Sequence, residues 1–75
     1  MYTIGQASAA SGVPAVTIRA WERRYDLLHP TRSAGGYRLY TEADVAVLRR
    51  MASVVAGGAP AGRAAELVWS QSESG

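Results

Sequence analysis

Apolar residues recur along residues 14–25 with the spacing of a helix. At about 100° per residue, Pro14, Ile18, Trp21 and Tyr25 fall in one narrow stripe. Val16, Arg19, Ala20 and Arg23 fall on the opposite side, with Thr17 and Arg24 along one flank. One buried stripe is ordinary for a helix in a small domain. The far face is less ordinary, because it combines small side chains with guanidinium groups. The rest of the chain is organised around this segment.

Upstream, Thr3 is a good N-cap and Gln6 follows three residues later, a capping box that predicts a short helix over 4–10. Its alanines, Ala7, Ala9 and Ala10, allow a second helix to approach closely. Ser11-Gly12 ends it, with Gly12 suited to a left-handed backbone, and Val13 reads as a buried turn residue. Pro14 fits the first turn of the next helix, where its missing N–H costs nothing. A short helix, a tight glycine turn and a second helix make a helix-turn-helix pattern. Downstream, Asp26 is expected in a left-handed conformation, and Leu27-Leu28 return the chain to the core. Residues 29–32 should be extended, Ser33-Ala34-Gly35-Gly36 should turn, and 37–40 are strand formers. That predicts a small hairpin over 28–40, marginal alone and leaning on the helices, with Arg32 and Arg38 either side of its turn. Thr41 with Asp44 opens a third helix whose Val45, Val47, Leu48, Met51, Ala52, Val54 and Val55 share one half of the wheel. Pro60 opens a last helix to about Ser70, with Ala64, Leu67 and Val68 inward and Trp69 opposite. Residues 71–75 read as a polar tail.

Composition narrows the class. Seventy-five residues form one domain near the lower size limit for a self-sufficient core. There is no cysteine, hence neither a disulfide framework nor a thiolate metal site, and no run is apolar enough for a membrane span or a signal peptide. A cytoplasmic protein without membrane association is expected. The overall charge is only +2, but its distribution is uneven. Residues 1–18 carry no charged side chain, whereas 19–50 carry seven of the eight arginines against four of the six acids, a net charge of +3. Clustered basic charge is the footprint of a nucleic-acid surface.

An arginine-bearing helix face of small residues can enter the major groove, about 12 Å wide, where Arg pairs bidentately with guanine. Arg19 and Arg23 are the candidates for base or phosphate contact, and Val16, Thr17 and Ala20 lie beside them. Arg32 and Arg38 are candidates for phosphate or minor-groove contact from the hairpin, and Tyr37 for a phosphate contact through its hydroxyl. Glu22 faces phosphates badly unless paired, so an ion pair with an arginine of the helix or hairpin, Arg38 among them, is expected. Arg49 and Arg50 read as a solvated helix face. Catalysis finds no support: there is no paired acid–base constellation, and G-A-P-A-G-R lacks the lysine and the preceding strand of a phosphate loop. His29 has no second ligand beside it, so no metal site is expected.

The run T-I-R-A-W-E-R-R-Y-D-L-L, followed by P-T-R-S-A-G-G-Y-R-L-Y-T-E-A-D, resembles the DNA-binding domain of the MerR family of bacterial transcription regulators. The R-A-W-E-R-R-Y form is similar to the branch containing CarA, CarH, LitR and MlrA. The resemblance runs from Thr3 to about Val68. It implies a mainly α fold, a winged helix-turn-helix with a small hairpin wing and two further helices, which agrees with the pattern above. Thr17, Arg19 and Ala20 match positions of the family's recognition helix, and Tyr37 and Arg38 match wing positions that meet the DNA backbone or minor groove. Many members have Tyr-Tyr where this chain has Ala20-Trp21, so one phosphate contact is absent, as in the similar branch. Asp26 stands where that branch usually has glycine.

The expected function is sequence-specific double-stranded DNA binding by a transcription regulator, with helix 14–25 in the major groove. The candidate site is Val16, Thr17, Arg19, Ala20, Arg23, Arg32, Tyr37 and Arg38. The rivals are a protein-interaction adaptor and an excisionase-like DNA-bending protein on the same fold. The expected organisation is a DNA-binding domain over 1–70 and a tail that begins a linker. No cofactor is expected in these residues; the resemblance implies an effector domain downstream, of cobalamin type in some relatives. It likewise implies RNA polymerase as a further partner and dimerisation through the downstream region, leaving this piece monomeric.

Overall fold

The computed structural model describes the backbone of residues 1–74 and the side-chain surroundings of residues 1–69. The elements run α1 (Ile4–Ser11), α2 (Ala15–Arg24), β1 (Thr31–Arg32), β2 (Arg38–Leu39), α3 (Glu42–Ala56) and α4 (Ala61–Ser74). This is the winged helix-turn-helix expected from the pattern.

Local chemistry sets the helix ends. Both capping boxes form. Thr3 accepts from the Gln6 N–H at 3.2 Å while the Gln6 side chain accepts from the Thr3 N–H at 2.9 Å. Thr41 and Asp44 exchange the same pair of bonds at 3.0 and 3.1 Å. Gly12 closes α1 at φ 77°, a conformation costly for any residue with a Cβ. Hydroxyls then staple the turn. Ser8 Oγ donates to the Val13 carbonyl at 2.6 Å, and Ser11 Oγ donates to the Ala7 carbonyl at 2.7 Å and accepts from the Val13 N–H at 3.2 Å. These bonds fix the turn from which α2 departs.

The end of α2 differs from expectation. No residue other than glycine has positive φ among the described residues, so Asp26 is not left-handed. Tyr25 leaves the helix first, in an extended conformation (φ −126°, ψ 108°), while its N–H still reaches the Trp21 carbonyl. The Leu27 N–H then turns back to the Tyr25 carbonyl. A helix closed by an extended residue needs no left-handed one.

The hairpin pairs Thr31 with Leu39 and Arg32 with Arg38 in antiparallel register. Residues 33–37 join them, closed by the Ser33 N–H donating to the Tyr37 carbonyl around a three-residue turn in which the Gly36 N–H donates to the Ser33 carbonyl and Gly36 sits at φ 82°. The chain start adds a third contact, because Tyr2 and Tyr40 exchange both backbone hydrogen bonds at 2.7 and 2.8 Å. So marginal a hairpin gains purchase on the domain through this bridge.

The core has two lobes. Ala7, Val13, Ile18, Leu28, Tyr40, Val45 and Leu48 form one, and Met51, Ala64, Ala65 and Val68 form the other. Trp21 is half-buried and packs against both. Four expectations shift here. Pro14 is exposed, because α2 begins after it and Val13 takes the buried place. Val55 lies at the margin of the α3 face and is exposed. On α4 the inward residues are Ala64, Ala65 and Val68, and Leu67 is exposed. Ala65 takes a place in the buried stripe, and Leu67 and Trp69 flank it. The helix also runs to Ser74 rather than ending near Ser70; Gly75 lies outside the described residues.

Candidate nucleic-acid interface

The α2 face opposite Ile18 is open. Val16 is 76% exposed, and Arg19 and Arg23 are exposed, while Thr17 and Ala20 are half-buried along its edges. Ile18 itself is fully buried. A rigid anchor on one side and guanidinium groups on the other fix how this helix is presented.

Glu22 joins α2 to the hairpin. Its Oε1 accepts from the Tyr40 hydroxyl at 2.7 Å, and its Oε2 pairs with Arg38 Nη1 at 3.1 Å. The predicted ion pair is therefore present, and Arg38 is its partner. Tyr40 is fully buried, and burial first, then the Glu22 hydrogen bond and charge, push its phenol up to about 12; the nearby Arg38 opposes the shift. Arg38 thus serves the hairpin–helix junction and remains partly exposed, with 41% of its side chain accessible.

Arg32 folds over the loop, its Nη1 donating to the Gly36 carbonyl at 3.3 Å. Tyr37 projects from the loop end and is 74% exposed. Between the hairpin, α2 and the start of α1 lies a concave cleft of about 430 Å³. Arg19, Arg32, Tyr37 and Arg38 line it together with Thr3 and Ile4. The fold therefore gathers four of the eight candidate residues, contributed by two elements, around one hollow. Val16, Thr17, Ala20 and Arg23 lie outside it, on α2 alone. A second, larger hollow of about 930 Å³ lies against Tyr25, Leu27, Leu67 and Trp69 and contains none of the eight.

Three structural roles were not visible in the sequence. Asp44, expected only as a cap, is buried and also accepts from the His29 N–H at 3.0 Å, which anchors the chain entering the hairpin. Asp44 Oδ2 is committed to Thr41, so both carboxylate oxygens have work and burial is tolerated. Tyr40 supplies both the bridge to Tyr2 and the hydroxyl on Glu22. Arg49 is not merely solvated, because its Nε donates to the Ala10 carbonyl at 3.0 Å, near the C-terminal end of α1, where carbonyls lack helical partners. A period-two strand reading could have flagged Tyr40 as inward; the Arg49 contact spans 39 positions and leaves no local signal. Among the described residues no group of three or more His, Cys, Asp or Glu could hold a metal ion, and no helix is long and apolar enough to cross a membrane.

A stapled helical turn, an exposed second helix and a two-stranded hairpin locked to it define a winged helix-turn-helix domain. The chain belongs to the MerR family: the family described as MerR HTH family regulatory protein matches residues 2–69. It is 45% identical over 67 residues to the transcriptional repressor CarH of Myxococcus xanthus, covering 89% of this chain and 22% of that protein. It is 45% identical over 51 residues to the transcriptional regulator MlrA of Escherichia coli (strain K12), covering 68% of this chain and 21% of that one. The transcriptional regulator ZntR of Escherichia coli (strain K12) is 41% identical over 49 residues, 65% of this chain and 35% of its own. The chain thus spans about a fifth of the length of the first two. The family is one of DNA-binding transcription regulators, not of enzymes.

Proposed function

We propose that this domain binds double-stranded DNA sequence-specifically as the DNA-reading part of a transcription regulator. In this reading α2 lies in the major groove, and Arg19 and Arg23 reach base edges or phosphates. The hairpin is a wing on the flanking backbone or minor groove. The observation that carries it is the cleft in which Arg19 from α2 meets Arg32, Tyr37 and Arg38 from the hairpin. Three guanidinium groups converging on a hollow beside an exposed helix suit a phosphate run and a groove at once. Glu22 does not spoil this surface, because Arg38 and Tyr40 absorb its charge.

The rival is a protein-interaction adaptor on the same scaffold, and salt separates the two. Neutralising phosphates releases counterions, with a slope in log affinity against log salt of about 0.9 per contact on duplex DNA. Three arginines therefore predict a slope of about −3 for binding to a duplex. A shallow slope, or no duplex binding at low salt, would favour the adaptor. An excisionase-like architectural role would show the same slope together with strong bending of the DNA, measurable by the gel mobility of circularly permuted fragments.

A further inference from the structure

We propose that Val16 reads thymine: its methyl groups pack against the C5-methyl of one thymine in the major groove. The inference rests on the DNA-binding reading above and adds the base and the atom. Val16 is the second residue of α2 and is 76% exposed. Neither folding nor packing accounts for a valine there. A β-branched side chain loses rotamer freedom in a helix and is a mediocre helix former. With three-quarters of its surface open, it gains little from the core in return. Residues near the start of a recognition helix are those that meet base edges in this kind of fold.

The neighbourhood selects the chemistry. Pro14 precedes it, exposed and without a side-chain hydrogen bond at the helix start. Ala20, one turn further along, is apolar as well. Around Val16 this corner of α2 offers a base an apolar surface, with the Thr17 hydroxyl on the flank and Arg19, three residues on, supplying the donors. In the major groove the one apolar group on a base edge is the thymine C5-methyl. Val16 is the one large exposed hydrophobic of α2, with only the small Pro14 and the half-buried Ala20 beside it; the exposed Leu67 and Trp69 belong to α4. A protein-docking surface needs a patch, whereas a base reader needs one residue.

The test starts by selecting bound duplexes from a random pool with this chain. An enriched motif containing thymine is expected. Each thymine is then replaced singly by deoxyuridine, which deletes only the methyl. At one position the chain should bind about fourfold more weakly, the worth of one buried methyl. Val16→Ala should bind the thymine and uracil duplexes equally there. Val16→Thr, which keeps one γ-methyl, should recover part of the discrimination. Circular dichroism confirms that the variants stay folded, as expected for an exposed position. A motif without thymine, a motif whose thymines all tolerate loss of the methyl, or a Val16→Ala variant that discriminates like the parent would overturn the assignment and leave the DNA reading standing. A pool with no enrichment at all would overturn the DNA reading itself, and the assignment with it.

Discussion

Removing the Glu22 carboxylate tests how the helix and the hairpin are held together. Glu22→Ala leaves the Tyr40 hydroxyl, on a fully buried ring, without its acceptor at 2.7 Å. An orphaned buried donor costs about 1–3 kcal/mol, with the upper part apt here because the lost acceptor is charged. The Arg38 pair adds little, about 0–1 kcal/mol, because Arg38 is well exposed and screened by water. The expected loss is therefore about 2–4 kcal/mol. A 75-residue domain has only about 4–11 kcal/mol in total, so the change should be plain in urea unfolding followed by tryptophan fluorescence. Glu22→Gln keeps an acceptor for the phenol and should lose only about 1 kcal/mol. A double-mutant cycle with Tyr40→Phe should give a coupling of about 1–2 kcal/mol. The same phenol has a pH signature, set first by its burial and then by the Glu22 bond and charge. The folded phenol titrates near 12 against an ordinary value of 10.0, so its stabilising contribution is complete below pH 10 and is lost as pH rises from 10 towards 12. In Glu22→Ala the tyrosinate absorbance should appear at lower pH, while the burial contribution persists. A coupling near zero, or a Glu22→Gln variant as unstable as Glu22→Ala, would refute the reasoning.

Three further variants test the interface and the core. Arg19→Ala should cost about 1–3 kcal/mol on the preferred duplex and less on random DNA, whereas Arg32→Ala should weaken binding to every sequence and flatten the salt slope by about one; equal losses for Arg19 on both duplexes would place it on phosphate alone. Trp21→Ala should cost about 3 kcal/mol, at the lower end for an aromatic truncation because the ring is half-buried, and it should raise hydrogen exchange in α4 first, since Trp21 joins the two core lobes; a variant that keeps its stability and loses only DNA binding would make Trp21 a contact residue instead.

The helix starts were legible because their causes are local. A capping box needs two side chains three residues apart, so Thr3 with Gln6 and Thr41 with Asp44 announced α1 and α3 to within a residue. Gly12 was legible for the same reason, since only the conformation of one residue is at stake. On the α2 stripe Ile18, Trp21 and Tyr25 all face the core, and Pro14 alone departs from it, because a wheel assigns angles and not the point at which the helix begins. The α4 stripe was shifted. Periodicity finds an amphipathic helix, but which edge of its stripe is covered depends on what it packs against, and there Ala65 is buried while Leu67 is exposed.

The Glu22–Arg38 pair was anticipated on charge, yet the sequence alone did not disclose Tyr40 as its third member. The chain by itself determined the elements, the capping boxes of α1 and α3, the Gly12 cap, the hairpin turn and the guanidinium face of α2, all products of interactions within a few residues. Only the tertiary structure decided that Tyr2 would pair with Tyr40, that Asp44 would hold His29, that Arg49 would reach Ala10, and that Arg19 would share a cleft with Arg32 and Arg38. Those contacts join residues 13 to 39 positions apart. Their energy depends on the packing of whole helices against one another, which leaves no periodic trace in the sequence.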